Sequence, residues 1–176
     1  MVLAVAAATL GASAPAAVAQ SSDTSKFSEL TPADVTRLDR QRALVAGAIK
    51  QHSHASSLAR TKADLPILQR LLDDHVFAKT QAYELQSLGV AFGDVLESEL
   101  GLRWTIVTDE YGRDPTLRLG ETTIQVNALT MISKRVERGD VVDLKVLLAN
   151  TREVVAKARA DLQRLRARKA AEGARR

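Results

Sequence analysis

At 176 residues, with a formal net charge of +4 and no cysteine, the chain is long enough to core one domain and excludes disulfides, thiolate metal sites and thiol nucleophiles. Its stability must come from packing. The charge is uneven: from Arg152 onward nine Lys or Arg stand against three Asp or Glu, so the body is nearly neutral and the tail basic.

Residues 1–19 carry no charged side chain. An apolar run from Val2 to Leu10 is followed by Gly11, Ser13 and Pro15 and then by Ala17-Val18-Ala19, the order of a secretory signal with a small-residue cleavage site. A membrane-spanning helix needs about 20 apolar residues, roughly twice this run. We therefore expect cleavage near Ala19 and a periplasmic or secreted product, although the usual basic start is missing and Lys26 is the first cation. Gln20 to Ser28 is polar and Ser-rich, which reads as a flexible leader over residues 20–29.

Thr31-Pro32-Ala33-Asp34 starts a helix with a hydroxyl cap, a proline at the first helical position and an acid in the first turn. Val35, Leu38, Val45 and Ile49 continue it, Arg42 interrupts the apolar stripe, and fraying is expected around Gln51 to Ser57. His52 and His54, two apart, point to different helix faces and are poor joint metal ligands. Asp64-Leu65-Pro66 opens a short helix through Leu68, Leu71 and Leu72 to about His75. A longer helix runs from after Thr80 to about Leu100, with Leu85, Leu88, Phe92, Val95 and Leu96 toward the core. Gly89 and Gly93, one turn apart on that side, suggest another backbone passing close by.

Past Gly101 the period changes from helical to alternating. Leu102, Trp104 and Ile106 alternate with Arg103, Thr105 and Val107, Tyr111 to Pro115 has turn chemistry, and Thr122 to Val126 is β-branched, with a further short strand around Thr116 to Leu119. Helical spacing returns from Leu129 to Arg138, Gly139 stands as a left-handed terminator, and Asp140 is placed to cap the next helix. Val141, Leu144, Leu148, Thr151, Val155, Ala158, Leu162 and Leu165 give the longest periodic run. Its flanks oppose simple self-pairing, because Lys145, Arg152, Arg159 and Arg166 form one basic edge without a reciprocal acidic one. We expect Val141 to about Val155 to pack on the domain, against the first helix, and the rest to project.

These elements add up to an α+β domain: N-terminal helices, a small antiparallel β-hairpin or sheet, a short helix and a long C-terminal helix. The expected organisation is a signal peptide over 1–19, the leader over 20–29, a single domain over 30–168 and a frayed basic tail over 169–176.

The run Leu85-Gln86-Ser87-Leu88-Gly89-Val90-Ala91-Phe92-Gly93-Asp94-Val95-Leu96, then Gly101-Leu102-Arg103-Trp104, Asp109-Glu110-Tyr111-Gly112 and Met131 to Gly139, resembles the bacterial domain of unknown function numbered 3806, from about Asp64 to Asp143. An aromatic-proline pair before the short helix is replaced here by Asn127-Ala128. The resemblance implies a bacterial origin and supplies no activity.

No nucleophile elbow, zincin motif, phosphate loop or dinucleotide fingerprint occurs, so no catalytic, metal or cofactor residue is assigned. The candidate partner-binding residues are Trp104, Asp109, Glu110, Tyr111 and Arg113 in the strand-turn unit, with Lys134 and Arg135 on the short helix. Plainer readings stand beside each: a lone strand tryptophan is more often core, turn acids are more often solvated, and the basic cluster can simply salt-bridge helix to hairpin. The leading expectation is an exported, non-catalytic binding or inhibitory module using residues 104–114 to hold a protein partner in the cell envelope. One alternative is attachment to anionic membrane or envelope polymer through the basic C-terminal helix, nucleic acid being scarce outside the cell. Another is a hydrolase using Asp109 and Glu110 as paired carboxylates, which would need a cleft that a short turn rarely supplies.

Overall fold

A computed structural model describes residues 18–20, 25–52 and 57–173; residues 1–17, most of the expected signal, and His54 lie outside the described residues. Its elements are β1 (Val18–Gln20), β2 (Lys26–Ser28), α1 (Pro32–His52), α2 (Leu65–Asp73), α3 (Ala82–Leu100), β3 (Arg103–Asp109), β4 (Gly112–Arg118), β5 (Ile124–Val126), α4 (Ala128–Met131), α5 (Ser133–Arg138) and α6 (Leu144–Gly173). The α+β class and the long C-terminal helix are as expected. The strands form one antiparallel sheet in the order β1-β5-β4-β3-β2.

The sheet corrects the sequence reading at three places. The leader is not all flexible, since Gln20 pairs with Ile124 and residues 26–28 pair with Ile106 to Thr108. Backbone bonding to open strand edges supplies the order that polar composition withholds, and Phe27 adds a ring beneath the Arg118 guanidinium at 4.2 Å. The turn is tighter than Tyr111 to Pro115: Asp109 pairs with Gly112, and Pro115 sits inside β4 opposite Ile106. Proline is tolerated there because β5 reaches only Leu117 and Arg118, leaving that stretch of β4 with an open edge.

α3 is the hub. Its apolar residues Leu85, Leu88, Phe92, Val95 and Leu96 are all buried, with α1 along one side and α4 along another. The two glycines are required by close approach. A Cβ on Gly89 would run into the Leu129 and Ala128 carbonyl oxygens of α4, and one on Gly93 into the Trp104 ring. The expected passing backbone is thus present at Gly89, whereas an indole occupies the space over Gly93.

At the C-terminal end, Gly139 terminates α5 in the left-handed region at φ +80°. The expected single helix from Leu129 breaks at Ile132 into α4 and α5. α6 starts at Leu144, not Val141, because Asp143 rather than Asp140 caps it: the Asp143 carboxylate accepts from the Lys145 and Val146 amides at 2.8 and 3.0 Å. Asp140 is held by Arg138 instead, and Val141 is 94% exposed. Leu144, Leu147, Leu148, Thr151 and Val155 are buried, so the first half packs as expected, although against α2, α3 and β1 rather than the first helix. Contact continues past the expected Val155, through Ala158, Leu162 and the Arg159 bond to the Leu100 carbonyl, and the rest projects and stays helical to Gly173, past the fraying expected at Arg168.

Gly47 lies inside α1, where a Cβ would meet nothing within 4 Å. Gly47→Ala is therefore expected to raise unfolding stability by about 0.5–1 kcal/mol. Gly89→Ala is expected to lower it by about 1–3 kcal/mol through overpacking. Urea unfolding of both variants checks this, and equal effects would contradict the close approach of α4 to α3.

Candidate binding surface

The hairpin β3–β4 carries the exposed candidate residues. Asp109 Oδ1 accepts from the Tyr111 amide at 2.9 Å, closing a local turn, and Gly112 takes the positive φ of +130° that a side chain would resist. Tyr111 is 88% exposed at the tip, with Glu110 exposed beside it. One residue into β4, Arg113 turns back onto α1, its Nη1 and Nη2 each donating to one Asp34 carboxylate oxygen at 2.6 Å.

Asp34 is held from two sides. Thr31 and Asp34 form a reciprocal cap, the Thr31 amide and hydroxyl donating to Asp34 Oδ2 at 2.8 and 2.6 Å and the Asp34 amide donating to Thr31 Oγ1 at 3.3 Å. The Arg113 hydrogen bonds, and then those from Thr31, hold the Asp34 carboxyl well below the usual carboxylate range despite its burial. The tip is thereby fixed to the first turn of the longest N-terminal helix.

A second arginine–aspartate pair lies deeper. Asp94, 3% exposed on α3, accepts from Arg42 Nε and Nη2 at 2.7 Å each and from Trp104 Nε1 at 2.9 Å. These hydrogen bonds raise the Arg42 guanidinium above its ordinary value, overriding its partial burial. Arg42 also reaches Asp39 at 2.9 Å, and Arg60 lies 3.7 Å from Asp94. Arg42 thus interrupts the apolar stripe of α1 in order to meet Asp94, a role that sequence spacing did not reveal. An open cleft of about 640 Å³ beside the pair is lined by Leu30, Arg42, Glu97, Leu102, Arg103 and Trp104.

The structure sorts the seven candidates. Asp109, Glu110 and Tyr111 gather at the tip, and Arg113 supports it. Trp104 is turned inward at 9% exposure, stacked over Gly93 and bonded to Asp94, because only there does its indole N–H find an acceptor away from water. Arg135 is buried too, its Nη1 donating to the Met131 carbonyl at 2.7 Å, and burial followed by the neighbouring Arg138 charge lowers its affinity for the proton. Lys134 is exposed on α5, whose main contacts are with α3 and α4. Among the described residues no ion pair joins Lys134 or Arg138 to Asp109, Glu110 or Asp114, and Arg138 pairs with Asp140 instead.

The residues from the Asp64 cap through the first turn of α6 carry the hairpin, the hub helix and both short helices. Residues 64–147 match the Domain of unknown function (DUF3806). The resemblance seen from Asp64 to Asp143 is therefore borne out. α1, which supplies Asp34 and Arg42, lies before the DUF3806 segment. A solved structure from Bacteroides thetaiotaomicron VPI-5482 is similar at 14% identity and a TM-score of 0.65, over 72% of this chain and 47% of that one. This chain spans about half that protein's length, and the likeness concerns the fold alone. No curated protein matches the chain.

The Asp34 clamp gives a pH signature. Since its folded-state value lies below the ordinary 3.8, its stabilisation is complete above that value and is lost as pH falls through it. Asp34→Asn is expected to melt below the wild type at about pH 7, with the gap closing between about pH 4 and pH 2. Thermal melts followed by circular dichroism check this; a gap independent of pH would contradict the clamp.

Proposed function

We propose that this protein is an exported, non-catalytic binding module that holds a protein partner of the cell envelope through the Asp109–Tyr111 tip. The observation that carries the reading is an almost fully exposed tyrosine on a turn whose base is clamped to α1 by a two-pronged Arg113–Asp34 pair. A rigid aromatic anchor loses little conformational freedom on association, and aromatics of this kind dominate interface energetics. Asp109 and Glu110 add negative charge around it, suited to steering a partner with a basic patch. Neither acid lines the 560 Å³ cavity or the 640 Å³ cleft, which favours binding over a hydrolase built on the pair.

Export rests on the apolar, breaker and small-residue order of residues 1–19. Cleavage after Ala19 would remove two of the three residues of β1 and open the outer edge of β5. Native protein should then begin at Gln20 by N-terminal sequencing, and a start at Met1 counts against export. In pull-downs from envelope extract, Tyr111→Ala is expected to cost about 2 kcal/mol of affinity, roughly 30-fold, with the fold intact. Capture of the same partner with equal affinity by the variant would remove the tip from the reading.

The projecting half of α6 favours a second contact. Beyond Leu162 it leaves the core, with Leu165 half-exposed and Arg164, Arg166, Arg168 and Lys169 exposed around it, which suits an anionic lipid surface. Binding to vesicles containing anionic lipid is expected to fall steeply with added salt and to vanish on deletion after Val155. Salt-insensitive binding that survives the deletion would end this second reading.

A further inference from the structure

Away from the hairpin tip, a cavity of about 560 Å³ lies between the end of α2, α3, α5 and the link into α6. Leu71, Leu72, Phe77, Leu85, Leu88 and Val136 make its wall. Every residue that lines it falls inside the DUF3806 segment. Its size lies in the range of small-molecule sites, about 300–1,000 Å³.

Two helices end at its lip in the same way. α2 finishes with the Val76 and His75 amides donating to the Leu71 and Leu72 carbonyls, and α5 finishes with the Asp140 and Gly139 amides donating to the Arg135 and Val136 carbonyls. The left-handed position is glycine in α5 but His75, at φ +50°, in α2. A histidine there carries a backbone cost of about 1 kcal/mol that glycine would not, and the lip keeps it.

The rim charges decide what the cavity accepts. Asp73 Oδ1 accepts from Gln69 Nε2 at 2.8 Å, and Asp140 Oδ2 takes both Arg138 Nε and Nη2 at 3.0 and 2.6 Å. Both acids are therefore engaged by their own neighbours. Lys79, exposed at the lip, has no hydrogen bond or ion pair to any described residue. The mouth of the apolar cavity thus carries the Asp73 carboxylate, whose Gln69 partner is neutral, and the Lys79 ammonium, which can bond an anionic head group.

We infer that this cavity binds a single-chain fatty-acid-like carboxylate, its hydrocarbon chain against Leu72, Leu88 and Val136 and its head group on Lys79. The inference is independent of the proposed tip contact. The test titrates the full-length chain with laurate and, separately, with 1-dodecanol, which has the same chain without the charge, by calorimetry and by shift in Tm. One laurate per chain is expected to bind and to raise Tm. Lys79→Glu, a surface change that leaves the core intact, is expected to weaken laurate at least about tenfold while dodecanol changes less than about twofold. Val136→Trp, which fills the cavity, is expected to abolish binding of both. Absence of laurate binding to the wild-type chain overturns the site, and equal laurate affinity in Lys79→Glu overturns the head-group assignment. If Val136→Trp is misfolded by circular dichroism, the Lys79→Glu comparison and the dodecanol control still decide the matter.

Discussion

The fold depends on how it accommodates one carboxylate in its interior. Asp94 lies in the middle of α3, the most enclosed helix, where an unpaired acid would cost several kcal/mol. Its oxygens are met by both prongs of Arg42 from α1 and by the Trp104 indole from β3. Each donor comes from a different element, so satisfying Asp94 fixes α1, α3 and the start of the sheet relative to one another. Gly93, the residue before it, leaves the space into which the Trp104 ring fits. A larger residue at 93 would displace the indole and take one of its three donors from the carboxylate.

The position of α1 then propagates to the surface. Two arginine–aspartate pairs join α1 to the DUF3806 segment, and they run in opposite senses: Arg42 of α1 reaches Asp94 of the segment, and Arg113 of the segment reaches Asp34 of α1. The inner pair sets where α1 lies, and the outer pair transmits that setting to the hairpin tip. Residues 64–147 alone would keep Trp104 against Asp94 but lose both guanidinium donors, leaving the acid underpaired in the core. Beside Arg42, Gln41 is fully buried with neither amide atom bonded, a cost of about 1–3 kcal/mol that the surrounding leucine and valine packing offsets. Arg42, by contrast, meets an acceptor with each prong that it turns inward.

Much of this was legible in the sequence wherever the signal was local. The change from helical to alternating spacing after Gly101, the Thr31–Asp34 cap and the stop at Gly139 each act within a few residues, and each occurs where the pattern put it. What escaped depends on partners distant in sequence. Arg42 reads as a flaw in a stripe because Asp94 is 52 residues away. The stretch from Lys26 to Ser28 reads as a leader because its strand character is lent by β3. Pro115 reads as a turn residue because nothing in its neighbours tells that β5 stops short of it. Asp140 and Asp143 are equivalent caps on paper, and Arg138 decides between them by holding the first. Of the candidate surface, exposure at Tyr111 was foreseeable from turn chemistry and burial of Trp104 from the usual place of a lone strand tryptophan, whereas its bond to Asp94, ten residues earlier, follows from no spacing rule.

The distribution of carboxylates bears on what kind of protein this is. Among the described residues the buried acids are Asp34, Asp64 and Asp94. Asp34 and Asp94 are each gripped by both prongs of an arginine, and Asp64 accepts from the amides of Ala59, Arg60 and Thr61 at 2.9, 2.6 and 3.3 Å. Such acids hold structure in place, because any proton they took up would forfeit the donors that justify their burial. Asp109 and Glu110 stand instead on the β3–β4 turn, Asp109 half-buried with an oxygen on the Tyr111 amide and Glu110 exposed. Acid–base catalysis needs the intermediate condition, a carboxyl enclosed yet available. At the tip Tyr111 stands exposed beside Glu110, while the Arg113–Asp34 pair ties the base of the turn to α1 and the Arg42–Asp94 pair ties α1 to the hub helix.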